Sequence, residues 1–227
     1  MSWKFLAVAA LGMAGRAAAQ ESYKLEKLNE GPPPGLAAGV TGTLEAHGSR
    51  VVDAQGKPFV DVWLRKETPA TAKPSGPKGA VLYPVLTEGE LIGAVKFAAE
   101  GHDYRDQTIA PGVYTLRYGL QPINGDHLGV SVNRDYVLLL PAAKDTDPAD
   151  LPRKKLEQQS AESAGTTHPA VLLLLAATGQ PADAPTMVND AMLNTWGAIV
   201  ALPLGVKGES NVAPLPMQLV VVGAKTD

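Results

Sequence analysis

The chain contains no cysteine. That excludes a disulfide framework, a thiolate nucleophile, a thiolate metal site and the cysteine that a lipoprotein anchor requires. Aromatic residues are few, with three Trp, six Tyr and three Phe in 227 residues, so no platform of exposed rings for stacking sugars is evident. Basic residues are not in surplus: 20 Lys and Arg stand against 23 Asp and Glu. A nucleic-acid binder wants a basic face, and this composition offers none. Long apolar runs are also missing. The longest in the body of the chain, Val171 to Ala177, is strand-sized, whereas a membrane-spanning helix needs about twenty residues. The sequence has no G-x-S-x-G, no Walker loop, no G-x-G-x-x-G and no H-E-x-x-H, so the commonest signatures of hydrolases, nucleotide sites and zinc proteases are absent.

What is present begins with a targeting segment. Lys4 supplies a positive charge, Phe5 to Ala14 a short apolar core, and Ala17-Ala18-Ala19 an A-x-A cleavage site before Gln20. This pattern predicts a signal peptide over 1–19 and export to the bacterial periplasm or beyond. Removing it leaves 208 residues (227 minus 19), enough to bury a core without disulfides. Removing Lys4 and Arg16 also leaves 18 basic against 23 acidic residues, a net charge of −5.

Glycine (23) and proline (19) are spread along the chain and punctuate many short apolar segments. The clearest segment is Val113 to Leu120. Tyr114, Leu116, Tyr118 and Leu120 fall on one face, and Val113, Thr115, Arg117 and Gly119 on the other. Such period-two alternation predicts a half-buried strand, started by the Pro111-Gly112 turn. Val51 to Leu64 reads as a hairpin about the turn D-A-Q-G-K-P. Further strands are expected at Val40–Ala46, Ala80–Tyr83, Leu91–Ala98, Tyr136–Leu140, Ala170–Ala176, Trp196–Leu202 and Met217–Val222. Met187–Leu193 is ambiguous. The prolines and glycines of Thr68 to Gly79 predict a loop, and 20–38 an irregular lead-in. One helix is expected between Asp147 and Ala164, capped by Asp150 and ended by Gly165, with only Leu151 and Leu156 as apolar anchors. The resulting expectation is a single all-β domain over 39–227. It is an antiparallel Greek-key or jelly-roll-like β-sandwich, with one surface helix in an insertion at 141–168.

Two resemblances support this class. The run Ile109-Ala110-Pro111-Gly112-Val113-Tyr114 resembles the tyrosine corner of Greek-key sandwiches, in which a tyrosine hydroxyl bonds back to backbone a few residues upstream. The pattern V-x-D-x-x-G-K-P at Val51 to Pro58 resembles the opening of transthyretin-like and carboxypeptidase-regulatory-like sandwich modules. This is an analogy of fold and not of activity. The segments from Gly101 to Pro122 and from Gly125 to Ala142 also resemble a family of uncharacterised secreted bacterial proteins, and that resemblance implies no activity.

Chemistry, if any, belongs to the loops around the four histidines. His102 is followed by Asp103, Tyr104, Arg105 and Asp106; His127 follows Asp126; His168 sits between Thr167 and Pro169; His47 stands beside Gly48 in a turn. Histidine with carboxylate is the minimal kit for a Zn or Cu site or a general base. In an antiparallel meander the loops at 101–110 and 141–168 share one end, and the loop at 121–134 starts from the other, about 27 Å away along the strand. His102 and His168 can therefore meet, while His127 joins them only by folding back. The plain alternative is that Asp and His in these loops serve turns. The sequence thus supports an exported, non-catalytic binding protein whose ligand is a partner protein, a glycan or a metal ion. The rival is a metal-binding protein or metal-dependent enzyme using His102, His127 and His168.

Overall fold

The structure, a computed structural model, describes residues 22–123, 133–178 and 186–223. It is mostly β. In chain order the elements are β1 (Lys24–Leu28), α1 (Ala38–Thr41), β2 (Gly48–Val52), β3 (Pro58–Leu64), β4 (Thr68–Ala70), β5 (Leu91–Phe97), β6 (Gly101–His102), β7 (Thr108–Ile109), β8 (Gly112–Leu120), β9 (Asp135–Pro141), α2 (Arg153–Ala164), β10 (Val171–Leu175), β11 (Thr186–Asp190), β12 (Thr195–Val206) and β13 (Ala213–Val222). Eleven strands make one sheet in the order β1-β2-β3-β5-β8-β9-β10-β13-β12-β11, with β4 alongside β12; β6 and β7 form a separate ribbon. Every pair on the main path is antiparallel. The β4–β12 pair, off that path, is parallel.

The sheet curls until its two edges approach one another. Tyr23, just before β1, packs at a tilt against Phe59, ring centres 5.3 Å apart, and edge-on against Trp196 of β12 at 5.8 Å. Alternation explains why it curls. The inward residues of the first half, such as Val60, Val62, Leu116 and Val137, share one core with Val200, Leu202, Met217 and Leu219 from the second half. Burying both inner faces against each other removes the most apolar surface from water.

The outer face is covered in two places. Over β9, helix α2 and the strand start at Val171 bury Tyr136, Leu138, Leu140 and Leu156. Over β3 and β5, the segment before β2 brings Leu28, Leu36 and Leu44 onto Trp63 and Ala94, and the Trp63 indole donates to the Glu30 carbonyl at 3.0 Å. β9 is thus apolar on both faces, as its unbroken run Tyr136 to Leu140 predicts.

Several expectations hold at residue level. The 51–64 hairpin forms, with Asp53 Oδ1 accepting from the backbone N–H of Gln55 and Lys57, and Gly56 in the left-handed region at φ 76°. The Tyr114 hydroxyl donates to the Ala110 carbonyl at 2.8 Å, the geometry of a tyrosine corner. Gly165 ends α2 in the left-handed region.

Other expectations are corrected. The lead-in 20–38 contains the strand β1, whose two leucines are too few to signal a strand among its charges. Val40–Ala46 is not a strand: Ala38–Thr41 is a helical turn with Val40 fully buried. Ala80–Tyr83 is not a strand either, because the Asp135 carboxylate takes the N–H groups of Leu82 and Tyr83 at 2.7 and 3.0 Å. The loop 68–79 begins with the strand β4. Asp150 does not cap α2; Pro152 occupies that position, with no side-chain bond to the first turn.

Candidate functional site

The His102 loop folds around its own aspartate. Asp103 is fully buried. Its Oδ1 accepts from the N–H groups of Arg105 and Gln107 at 2.8 and 2.9 Å. Its Oδ2 accepts from Gln107 Nε2 at 2.8 Å and from the Val171 N–H at 3.1 Å. Four donors saturate the carboxylate, so Asp103 is the joint that ties this loop to the start of β10. Within the loop Asp106 takes φ 63°, and its Oδ1 lies 3.0 Å from His102 Nδ1. Glu100 is farther off, at 3.9 Å from Nε2. Tyr104 packs against the cluster under α2, and burial raises its phenol above the usual range.

The loops at 101–110 and 141–168 share one end of the sheet, as the meander predicts. Gln107 Nε2 donates to the Pro169 carbonyl at 2.9 Å, and Thr166 Oγ1 donates to Gln107 Oε1 at 2.7 Å. His168 lies beside this junction but is exposed, with its backbone N–H on Thr166 Oγ1. Asp126 and His127 lie outside the described residues. Among the described residues no group of three or more His, Asp or Glu is placed to hold a metal ion. His47 is exposed in a bend.

Arg105 has a different setting. It lines a small apolar pocket of about 40 Å³ on the outer face of the sheet, together with Tyr136, Leu138, Val171, Pro122, Pro169 and Glu157 of α2. Gly119 is required beneath it, because a side chain there would collide with the Tyr136 ring. Neither Arg105 nor Glu157 forms an ion pair among the described residues. Burial pushes the Tyr136 phenol up to about 12, with Glu88 and Glu157 adding to the rise and Arg153 opposing it.

Two polar sites escaped the sequence reading. The first is Arg117, on the outward face of β8. Its guanidinium is wholly buried and grips Asp145 through Nε and Nη2 at 2.8 and 2.7 Å. It also donates to the carbonyls of Gly89, Ala149 and Asp147. An arginine in a mostly apolar strand is the available signal, and alternation alone cannot tell that its face is covered. The second is Glu90, in the turn before β5. It is 1% exposed and faces an open cleft of about 670 Å³ bordered by Glu67, Asp150 and the turn at 205–209. Nothing in T-E-G-E distinguishes a buried glutamate from a turn residue.

Comparison of the chain with protein-family models, with curated proteins and with solved structures found no match.

Proposed function

We propose that this protein is exported and acts as a non-catalytic binding module, in the periplasm or outside the cell. Its contact point is the Arg105 pocket. The observation that carries the proposal is an apolar hollow sized for a single side chain, lined also by the Arg105 guanidinium and the Glu157 carboxylate, neither of which forms an ion pair among the described residues. An anchor residue entering a small desolvated pocket, with charges at the rim setting orientation, is how protein partners are commonly held. A peptide or protein partner therefore fits better than a glycan, since no exposed aromatic ring borders this hollow. The order β10-β13-β12-β11 supports reading the curled sheet more finely as a Greek-key sandwich, because β10 lies beside the last strand of the β11–β13 meander.

The test uses N-acetyl-leucine and its uncharged amide as minimal anchors, followed by backbone NMR. Both are expected to shift Leu138 and Val171, and the free carboxylate is expected to bind more tightly. Arg105→Ala should erase the difference between the two probes. Absent or scattered shifts sink the pocket reading. The rival, a Zn or Cu site on His102, His127 and His168, has the close His102–Asp106 pair as its support.

A further inference from the structure

The chain between β9 and α2, residues 142–152, crosses the outer face of β8 as a strap. Two of its fastenings lie close together. Arg117 holds it through Asp145 and the carbonyls of Asp147 and Ala149. The turn 87–90 holds its other end, where the Leu151 N–H donates to the Gly89 carbonyl at 3.2 Å. Gly89 sits at φ 91°, so close to Leu151 that a Cβ would strike the Leu151 backbone. The turn is bonded in its own right to β8, Gly89 N–H to the Tyr118 carbonyl at 2.8 Å and Tyr118 N–H to the Glu90 carbonyl at 2.9 Å.

We propose that Glu90 and Asp150 form a proton-operated latch at this second fastening: with a proton on Glu90 the turn locks residues 149–152 against the sheet, and loss of that proton releases them. The geometry supplies both requirements. Glu90 is buried at the joint, and among the described residues the one hydrogen bond its carboxylate accepts comes from the Thr87 N–H, to Oε2 at 3.1 Å. Asp150, next to the bonded Leu151, borders the same cleft. Ionising Glu90 therefore puts a charge on a buried carboxyl at the wall of a cleft that the exposed Asp150 carboxylate also borders, and both desolvation and the like charge oppose it.

The other charged groups do not cancel this. Arg117 is committed to Asp145, and Arg65 directs Nη1 to the Leu91 carbonyl at 3.4 Å. Glu67 adds negative charge to the cleft, while Lys207 is exposed and Glu209 is paired with Lys73 at 3.1 Å. Desolvation pushes the Glu90 carboxyl up to about 7, with Asp150 adding to the rise and the Thr87 bond, Arg65 and Arg117 opposing it. The latch therefore operates near neutral pH. It does not depend on the Arg105 pocket being a binding site.

The experiment is a carbon-detected NMR titration of the Glu90 carboxyl from pH 4 to 9, with amide exchange of Leu151 followed over the same range and corrected for the intrinsic rate. Glu90 should titrate near 7, and Asp150→Asn should lower its midpoint. Protection of Leu151 should fall about tenfold or more across that midpoint, since one unit of pKa difference corresponds to tenfold in the opening equilibrium. In Glu90→Gln, which keeps shape and removes the charge, protection should stay level. The latch is overturned if Glu90 titrates as an ordinary carboxyl, if protection is level in the wild type, or if Glu90→Gln retains the fall.

Discussion

Asp145 and Glu90 are both buried carboxyl groups fastening the same strap, yet they sit in opposite electrostatic settings. Asp145 receives the Thr115 hydroxyl at 2.5 Å and two arms of Arg117. Its charge is matched by a cation and by directed donors. Among the described residues Glu90 accepts one backbone N–H, and the cleft it borders is also lined by Asp150. Burial alone thus does not determine what a carboxyl does. A full set of donors makes a lock, whereas one donor beside a like charge leaves a group whose protonation can change near neutral pH.

The largest test of this contrast is Arg117→Met. It strands Asp145 in a dry site without its cation, and the expected loss is about 3–5 kcal/mol in urea unfolding. Adding Asp145→Leu should recover much of it, because the cost lies mainly in the unpaired charge. If the single variant loses less than about 1 kcal/mol, Asp145 is not the lock described.

Glu90→Gln should act in the opposite direction. The folded protein holds the Glu90 proton up to about 7, whereas the unfolded chain loses it near the ordinary glutamate value of about 4.3. Ionised Glu90 therefore costs nothing below the unfolded value, an increasing amount as pH rises, and its full amount above 7. At pH 8 Glu90→Gln should stabilise the protein by at most about 3–4 kcal/mol, and at pH 4 by close to nothing. Equal effects at both pH values would remove the contrast with Asp145.

The smallest expected effect is at His168. The side chain is exposed, so His168→Ala should change stability by no more than about 0.5 kcal/mol. A melt after EDTA and then with Zn²⁺ or Cu²⁺ decides whether a metal belongs here. Ligand at a hundredfold excess over its Kd would add about 2.7 kcal/mol, and a rise that disappears in His168→Ala would favour the metal reading over the pocket.

Local chemistry was legible wherever a few neighbouring residues settle it. The Asp53–Gly56 turn, the alternation of β8, the corner at Tyr114 and the stop at Gly165 all depend on contacts within several positions in the chain. The position of the His102 loop beside the 141–168 insertion was also legible, since antiparallel order alone puts them at one end. The role of Asp103 was only half visible. H-D-Y-R-D-Q announces a turn, and three of the four donors come from Arg105 and Gln107 within it. The Val171 N–H and the orientation of Gln107 toward Pro169 come from more than sixty residues away.

The sequence by itself determined that the chain is β-rich and cysteine-free and where many of its turns fall, because these follow from residue type and short-range periodicity. The tertiary structure alone decided which polar side chains are buried. Alternation sends Arg117 away from the core, but it cannot tell that a strap crosses that face, and a turn glutamate carries no mark of the cleft it will face. Burial and partners depend on segments distant in the chain, and those set whether a charge is neutralised, locked or left to titrate.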